Sequence, residues 1–229
     1  MTNQSNRTAV ITGAGDGIGR ALAINLNSRG IDLYLCDIDR ERLDATAGML
    51  NRDGVTVSTA VVDCGNREQI ETWAKMICAE NDSLDFLFNN AGVGYASPFR
   101  DASLENFEWL MNINYWGVVW STKAFLPLLE ASPAGHLVNI SSIFGMVGIA
   151  TQSAYNSAKF AVRGFTESLQ AEYWDSALTV TCVHPGGIAT NIALRARTDG
   201  EAADVSDAER DQAFKQMART TPEKAAHVI

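Results

Sequence analysis

A tyrosine and a lysine, Tyr155 and Lys159, lie four residues apart in a segment with helical periodicity. That spacing places both side chains on one face of a helix. A free tyrosine has a pKa of about 10, and a neighbouring ammonium group favours the phenolate and lowers that value. The pair could therefore move a proton to or from a bound molecule near neutral pH. Taken alone, a Tyr and a Lys at this spacing are more often neighbours on a solvated helix.

A glycine-rich turn follows the first strand-like run and opens the first helix. Glycine lets the backbone approach a pyrophosphate closely, and the helix N-terminus offers free N–H groups and a favourable dipole. A glycine cluster alone is a weak signal, but its place in the first strand–turn–helix unit is the one that a dinucleotide site requires. The residues that could contact the phosphates are Gly13, Gly15, Asp16, Gly17, Ile18 and Gly19.

An acidic residue, Asp37, closes the second strand-like run, 20 residues after Gly17 (37 − 17). A carboxylate at this point can accept hydrogen bonds from the adenosine ribose, and it repels the extra phosphate of NADP. Asp16 adds a second negative charge nearby. The sequence therefore predicts NAD as the cofactor, with NADP less favoured. Three basic residues could instead reach a phosphate, although we interpret them as exposed helix charges: Arg20, Arg40 and Arg42.

The elements that must position these residues alternate between strand and helix. Apolar, β-branched runs predict strands at 7–12, 32–36, 55–62, 84–88, 137–140 and 178–183. Helical patterns cover 18–28, 40–50, 68–80 and 154–173, and a further long helix begins near Ser103 and ends before Pro127. Such alternation implies right-handed β-α-β units. The predicted fold class is α/β: one domain with a doubly wound, Rossmann-type parallel sheet, covered by helices on both faces in three layers.

The length and charge of the chain limit the number of domains and the classes of binding partner. Its 229 residues suffice for one domain, 1–229, with a sizeable core. Segment 190–220 is polar and charged, and we interpret it as a substrate lid, with a solvated surface helix as the alternative. The last residue, Ile229, follows a helix start without a cap, which suggests a shortened chain. A formal net charge of −9 disfavours binding to nucleic acids and to anionic membranes.

The cysteines and the N-terminus indicate the cellular setting. The four cysteines are scattered, with no metal-ligand spacing, so we expect no metal site and a reducing environment. The N-terminus is polar and shows no signal peptide. Both observations favour a cytoplasmic protein.

Five further motifs accompany the T-G-x-x-x-G-x-G turn at residues 12–19, each in a defined place. They are Asn89-Asn90-Ala91-Gly92 after the fourth strand, Asn114 in the long helix, Ser141-Ser142 after the fifth strand, Tyr155 with Lys159, and Pro185-Gly186-Gly187-Ile188-Ala189-Thr190 after the sixth strand. Together they resemble the short-chain dehydrogenase/reductase family over essentially the whole chain. Each motif is modest alone, but six in the expected order are highly specific.

This resemblance implies roles for individual residues. The implied catalytic set is Asn114, Ser142, Tyr155 and Lys159. Ser142 would hydrogen-bond the substrate oxygen as charge develops on it, and Asn114 would support a water that links Lys159 to solvent. Besides the glycine-rich turn and Asp37, the implied cofactor contacts are Asp63, Cys64, Asn90, Ala91, Gly92, Tyr155, Lys159, Pro185, Gly186, Ile188 and Thr190.

The expected function is hydride transfer between NAD(H) and a secondary alcohol or ketone. The alternatives are an NADP-dependent carbonyl reductase, a non-catalytic NAD(P)-binding sensor or interaction protein, and a fold relative that isomerises or dehydrates sugar nucleotides. The complete Tyr155–Lys159 pair argues against a sensor, and the short chain argues against a sugar-nucleotide enzyme. Members of the family usually run longer and end with a seventh strand, which is missing here.

Two expectations concern partners and substrate. The family forms mostly dimers and tetramers. The long helix carries an aromatic stripe formed by Trp109, Ile113, Trp116 and Trp120. This stripe, together with the helix after Tyr155, is a candidate subunit contact.

Apolar residues next to the motifs hint at a hydrophobic alcohol or ketone as the substrate: Tyr95, Phe99, Phe144, Met146 and Val147. Arg195 and Arg197, if folded inward, would instead suit a carboxylate, and the sequence does not decide between the two.

Overall fold

The computed structural model describes residues 6–229. The prediction that the N-terminus is not a signal peptide rests in part on residues 1–5, which lie outside the described residues. In the described part, the chain forms eight strands. They are β1 (Thr8–Thr12), β2 (Asp32–Asp37), β3 (Val57–Val61), β4 (Phe86–Asn89), β5 (Tyr95–Ala96), β6 (His136–Ile140), β7 (Thr179–Val183) and β8 (Arg197–Thr198).

Eight α-helices occur in the same residues. The helices are α1 (Gly17–Ser28), α2 (Arg40–Ala47), α3 (Arg67–Glu80), α4 (Leu104–Met111), α5 (Gly117–Ala131), α6 (Ser153–Glu172), α7 (Asp207–Met217) and α8 (Pro222–Val228). Three short 3₁₀ turns precede α4, α6 and α7. A five-residue π turn, Asn112–Trp116, separates α4 from α5. No helix among residues 6–229 is both long enough and apolar enough to cross a bilayer.

Six parallel strands form the central sheet, in the order β3-β2-β1-β4-β6-β7. The chain runs outward from β1 to β3 and then returns to place β4 on the other side of β1. A crevice therefore opens between the carboxyl ends of β1 and β4, where doubly wound folds bind their ligands. The two short strands β5 and β8 pair in parallel with each other, away from this sheet. The predicted α/β, doubly wound fold is confirmed.

Alternate side chains of each strand enter two separate cores. In β1, Val10 packs with α3, α5 and α6 on one face, whereas Ala9 and Ile11 pack with α1, α2 and α8 on the other. Successive side chains of a strand point to opposite faces, so both faces of a covered sheet need apolar residues. The three predicted layers follow directly from this pattern.

The long helix differs from its prediction in two ways. It is interrupted by the π turn, and it continues through Pro127 to Ala131 instead of ending before the proline. A proline inside a helix costs about 3 kcal/mol. Phe125, Leu128 and Leu129 are buried in the core, and each contributes roughly 1.5–3 kcal/mol, so packing outweighs the proline.

The π turn also divides the predicted aromatic stripe. A π turn holds more residues per turn than an α-helix, so positions after it are rotated relative to those before it. Trp109 lies under the Arg197 guanidinium, with 3.7 Å between the guanidinium carbon and the ring centroid. Trp116 and Trp120 instead stack on each other with centroids 6.1 Å apart. The prediction of one continuous stripe is therefore wrong.

Most other boundaries lie within two residues of the prediction. The exception is α2, which was expected to reach residue 50 and ends at Ala47, with Gly48 as its C-cap. The segment 190–220 contains β8, a 3₁₀ turn at Gly200–Asp204 and α7.

Candidate active site

The glycine-rich turn is bonded to the loop that follows β4, across the crevice. The Thr12 hydroxyl accepts hydrogen bonds from the backbone N–H groups of Asn90 and Ala91, each at 3.0 Å. The Asn90 amide donates to the carbonyl oxygens of Thr12 and Gly13, at 2.9 and 3.1 Å. Gly13 has a φ of +65°, and a Cβ there would lie 2.8 Å from the Cα of Ala91. Glycine is thus needed for the two loops to meet.

The remaining glycines leave a backbone cradle at the start of α1. A Cβ on Gly15 would lie 2.8 Å from a carboxylate oxygen of Asp37, and one on Gly17 would lie 2.9 Å from the Cγ2 atom of Thr190. A Cβ on Gly19 would clash with the turn itself. The neighbouring Ile18 packs against the core. The bare turn, open helix N-terminus and nearby Asp37 fit a dinucleotide.

Asp16 has a more specific contact pattern than its sequence position indicates. One carboxylate oxygen caps α1 by accepting from the N–H of Gly17 at 2.8 Å. The other accepts from Asn191 Nδ2 at 2.8 Å and from the Arg195 guanidinium at 2.7 Å. Burial acts to raise the pKa of Asp16, but the hydrogen bonds and the Arg195 charge outweigh it, so the pKa is lowered. The expected free negative charge is thus paired, which corrects the sequence-based argument that it repels a phosphate.

Asp37 lies at the end of β2, as the sequence predicts, with its carboxylate at the glycine-rich turn. One oxygen accepts from the N–H of Gly15 at 2.9 Å and the other from the N–H of Asp39 at 3.0 Å. Within residues 6–229, no Lys or Arg side chain forms a salt bridge with Asp37. The Asp37 carboxylate therefore lies beside the cradle without a basic salt-bridge partner among these residues.

The arginines that could receive a phosphate have protein partners. Arg20 donates through Nε to the Thr46 hydroxyl at 3.0 Å and through Nη2 to the carbonyl of Gly15 in the glycine-rich turn. Arg42 pairs with Asp39 at 2.6 Å. Arg40 is exposed, 3.8 Å from a carboxylate one turn further along α2. The interpretation as an exposed helix charge is confirmed for Arg40, whereas Arg42 is half-buried and Arg20 contacts the glycine-rich turn.

Asp63 and Cys64 follow β3 at the outer end of the crevice. The Asp63 carboxylate accepts from the N–H of Gly65 at 2.8 Å, which fixes the turn, and its own N–H donates to Gln69 at 2.8 Å. Cys64 is 5% exposed and lies in the core. Asp63 is the more accessible of the two toward a nucleotide base.

Asn114 lies in the π turn and is fully buried. Its side-chain oxygen accepts from the N–H of Val93 at 2.8 Å, and its amide donates to the carbonyl of Val93 at 2.9 Å. A Cβ on Gly92 would lie 3.4 Å from the Asn114 oxygen and 3.6 Å from Lys159 Nζ, so the three residues are neighbours. Asn114 thus holds the loop after β4 against the site. Val93 was missed by the sequence analysis, because its backbone, not its side chain, makes both bonds.

Ser141 and Ser142 have different partners at the end of β6. The Ser141 hydroxyl donates to the carbonyl of Lys159 at 2.9 Å, which joins β6 to α6. The Ser142 hydroxyl accepts from the N–H of Phe144 at 3.1 Å and stays beside Tyr155. His184 Nδ1 lies 3.1 Å from the Ser142 carbonyl, so this histidine has the structural role that the sequence suggested.

Tyr155 and Lys159 occupy the same face of α6, as predicted, but their electrostatics differ from expectation. Lys159 Nζ lies 5.6 Å from the Tyr155 ring centroid and donates to the carbonyl of Ile140 at 2.9 Å. Burial raises the pKa of Tyr155 to about 12, and the nearby Ser142 hydroxyl only partly opposes this. Burial also lowers the pKa of Lys159 to about 8. The predicted lowering of the tyrosine pKa is therefore wrong for the protein by itself, because desolvation of the phenolate outweighs the hydrogen bond from Ser142.

The segment after β7 closes the inner end of the crevice. The Pro185 carbonyl accepts from the N–H of Ile143 at 2.9 Å, and a Cβ on Gly186 would meet no atom within 4 Å. Ile188 forms a backbone bridge with Thr220, and Thr190 lies against Gly17. The residues expected at the nicotinamide end thus lie between Ser142 and the glycine-rich turn.

A buried polar chain beneath the site was not anticipated from the sequence. Asn89 Nδ2 donates to Asn139 Oδ1 at 2.8 Å, and Asn139 Nδ2 donates to the Thr166 hydroxyl at 3.0 Å. The Thr166 hydroxyl in turn donates to the carbonyl of Val162 at 2.6 Å. These bonds join β4, β6 and α6, the three elements from which the site residues project.

The segment around β8 is anchored through Asp199, another residue without a sequence signal. Its carboxylate accepts from the Tyr95 hydroxyl at 2.6 Å and from the N–H of Ser103 at 3.0 Å. The hydrogen bond from Tyr95, followed by those from Ser103 and Asn106, holds the pKa of Asp199 at about 2. Arg197 donates to Asn106 at 2.9 Å and stacks on an indole ring. Arg195 is paired with the Asp16 carboxylate, whereas Arg197 contacts a neutral amide and an indole ring, so the structure argues against Arg195 alone as the receptor of a substrate carboxylate.

Comparison with known proteins agrees with this geometry. The family model for short chain dehydrogenases matches residues 7–201. "Putative oxidoreductase SadH" of Mycobacterium tuberculosis is 41% identical over 236 aligned residues, which cover 100% of this chain and 83% of the relative. These values extend the resemblance well beyond the short motifs.

Solved structures show the same architecture. Levodione reductase superimposes with a TM-score of 0.86 at 28% identity, covering 97% of this chain and 88% of that one. A short chain dehydrogenase/reductase from Burkholderia phymatum, in complex with NAD, gives a TM-score of 0.84 at 27% identity, covering 99% and 85%. On the combined grounds of fold, crevice and sequence match, the chain belongs to the short-chain dehydrogenase/reductase family of NAD(P)-dependent oxidoreductases.

Proposed function

We propose that the protein transfers a hydride between NAD(H) and a secondary alcohol or ketone, and that Tyr155 exchanges the accompanying proton. The observation that carries this proposal is the placement of Ser142 beside Tyr155, with Lys159 Nζ 5.6 Å from the phenol ring, at the edge of a crevice that fits a dinucleotide. A pure sensor of cofactor binding has no need for this set, which disfavours the non-catalytic alternative.

The nicotinamide supplies the hydride acceptor or donor, and the protein residues handle the oxygen and the proton. With a pKa of about 12, Tyr155 is protonated at neutral pH and can donate its proton to a carbonyl oxygen. Ser142 stabilises the charge that develops on that oxygen. In the oxidation direction Tyr155 must first lose its proton, and the Lys159 ammonium favours this loss. We further propose that Asn114 orders a water which returns protons from solvent to Lys159.

We propose NAD rather than NADP as the preferred cofactor. The Asp37 carboxylate lies at the cradle without a salt-bridge partner among the described residues, Arg42 is paired with Asp39, and Arg20 contacts Thr46 and the Gly15 carbonyl. An added phosphate on the ribose would meet a negative charge there. The alternative, an NADP-dependent carbonyl reductase, would use Arg20, whose guanidinium lies at the Gly15 carbonyl in the turn.

The test is a panel of secondary alcohols and ketones, assayed by the absorbance of reduced nicotinamide with each cofactor in parallel. We expect turnover of at least one alcohol–ketone pair, with kcat/KM about tenfold or more higher for NAD, since ~1.4 kcal/mol of repulsion gives a factor of ten. Asp37→Ser should reduce this preference, and Asp44→Ser, on the exposed side of α2, is the matched control. Higher kcat/KM with NADP would contradict the cofactor assignment.

We also propose that the protein is a homodimer or homotetramer, with contacts through the helices that follow Asn114 and Tyr155. Trp116 is 43% exposed and Phe160 is 42% exposed, although both are large and apolar. Light scattering at micromolar concentration should give a mass of at least twice 24.8 kDa. Trp116→Glu and Phe160→Glu should shift it toward one chain, whereas Trp174→Glu, at an 88% exposed position after α6, should not. A wild-type monomer would contradict this proposal.

Two further assignments complete the proposal. Segment 190–220 acts as a lid over the crevice. Two hydrogen bonds support this assignment, one from Arg195 to Asp16 and one from Tyr95 to Asp199.

A cytoplasmic setting is supported by the four free cysteines.

A further inference from the structure

A run of exposed apolar side chains begins one residue after Ser142. Ile143, Met146, Val147 and Ile149 are 45, 51, 52 and 44% exposed, and we call these four residues the apolar rim. The rim adjoins the candidate active site, because the Phe144 ring meets the Tyr155 ring edge-on, with centroids 6.1 Å apart. A contiguous exposed apolar surface of this kind marks a binding site more often than a solvated loop.

The rim is held open by Asn156, the residue after Tyr155. The Asn156 amide donates to the carbonyl oxygens of Phe144 and Val147, at 2.7 and 2.9 Å. Its side-chain oxygen accepts from the N–H of Ile149 at 3.1 Å. Asn156 is itself only 8% exposed, so these bonds are shielded from water. A loop fixed at three points cannot fold its apolar side chains inward, and it presents them to solvent in one arrangement.

The chemistry around the rim selects against charge in its occupant. Residues 142–151 contain no charged side chain. Of the two arginines near the start of the lid, Arg195 forms an ion pair with Asp16, and Arg197 donates to Asn106 and lies over the Trp109 ring. An ionised group placed on the rim would lose hydration without gaining a partner, which is costly. An uncharged hydrocarbon instead gains from leaving water.

We propose that the apolar rim binds the hydrocarbon part of an elongated, uncharged alcohol or ketone whose oxygen lies at Ser142 and Tyr155, with Asn156 as the positioning residue of the rim. This inference rests on the proposed function and specifies its substrate class. It differs from the other possible occupants, a second copy of the chain or a lipid surface, because the rim is continuous with the candidate catalytic residues.

The experiment compares kcat/KM with NAD for straight-chain 2-alkanols from 2-butanol to 2-decanol. For the wild type, we expect kcat/KM to rise about two- to fourfold per added methylene until the rim is covered. The double variant Met146→Ser/Ile149→Ser should flatten this slope, with a loss that grows with chain length. Met76→Ser is the matched control, because Met76 is a 62% exposed methionine on α3, on a different element, and its slope should equal that of the wild type.

Asn156 is tested separately by its effect on KM. Asn156→Ala should raise KM for 2-decanol more than KM for 2-butanol, because it loosens the surface under the hydrocarbon. A general loss of structure would lower kcat for both alcohols by the same factor, and that result would remove Asn156 from the proposal. The rim variants, which change only exposed side chains, test the rim independently of Asn156.

The outcomes separate this inference from the function on which it rests. Absence of turnover for every alcohol and ketone would overturn both. Turnover with a flat chain-length dependence, or with a slope that Met146→Ser/Ile149→Ser leaves unchanged, would overturn the inference alone. The inference would also be overturned by a rim variant that leaves the chain-length dependence unchanged and alters only one other property. A change only in the mass from light scattering would show that the rim contacts a second chain. A change only in sedimentation with phosphatidylcholine vesicles would show that it contacts a lipid surface.

Discussion

Tyr155→Phe is expected to lower kcat by a factor of ~10²–10⁴, the usual contribution of a positioned acid or base, while NAD binding is retained. Phenylalanine keeps the ring that meets Phe144 and removes only the hydroxyl beside Ser142. The measurements are kcat from nicotinamide absorbance and the Kd of NADH from fluorescence titration, which should stay within about threefold because only one polar atom is lost.

The matched control is Tyr173→Phe. Tyr173 follows the same helix at its far end, and its hydroxyl donates to Glu130 at 2.6 Å, well away from the crevice. This variant should keep the kcat of the wild type. Full activity in Tyr155→Phe would refute the proposed mechanism. Loss of NADH binding in that variant would instead show that the substitution disturbed the crevice.

Lys159→Met is expected to inactivate the protein and to stabilise it at the same time. Lys159 is 4% exposed, and burial lowers its pKa from 10.5 to about 8. Holding the ammonium in this place at neutral pH therefore costs roughly 3 kcal/mol, at about 1.4 kcal/mol per pKa unit. Methionine has a similar length and no charge. The substitution also removes the hydrogen bond from Lys159 to the carbonyl of Ile140, and this loss offsets roughly 1–2 kcal/mol of the gain in stability.

The net gain in the free energy of unfolding should be about 1–2 kcal/mol at pH 7, or a Tm higher by a few degrees for a chain of this size. The ammonium pKa is lower in the folded than in the unfolded state, so the unfolded chain binds more protons between about pH 8 and 10.5. Wild-type stability therefore rises with pH in that window, and the gap to the variant narrows. The raised pKa of Tyr155 acts only above pH 10, where it lowers stability as pH rises toward about 12.

Denaturant unfolding at pH 7 and pH 9.5 measures both effects, with Lys75→Met, an exposed position on α3, as the control that should change neither. A variant Lys159→Met that is less stable than the wild type at pH 7 would show that the ammonium stabilises the fold. Activity is expected to fall by ~10² or more, because Tyr155 loses the neighbouring ammonium group of Lys159.

The sequence predicted those parts of the site that depend on strand ends and short spacings. Asp37 closes β2, Asn90 follows β4 and Ser142 follows β6, so the topology of a doubly wound sheet brings them to one edge. Tyr155 and Lys159 share a face because of helical geometry alone. These features need no knowledge of side-chain packing.

Features that depend on long-range partners could not be predicted. The Asp16–Arg195 pair joins residues 179 positions apart, and Asp199 meets Tyr95 across 104 positions. The direction of the Tyr155 pKa shift depends on how deeply the phenol is buried, which no local pattern reports. The helix through Pro127 is decided by buried neighbours rather than by its own propensity.

The buried polar chain from Asn89 through Asn139 to Thr166 ties the backbone of the cofactor loop, the serine strand and the tyrosine helix to one another. All three side chains are buried, so replacing any one of them leaves a buried polar partner in another segment without its hydrogen bond. A single replacement in this layer is therefore expected to disturb the cofactor loop, the serine strand and the tyrosine helix together, although none of the three side chains reaches the crevice surface.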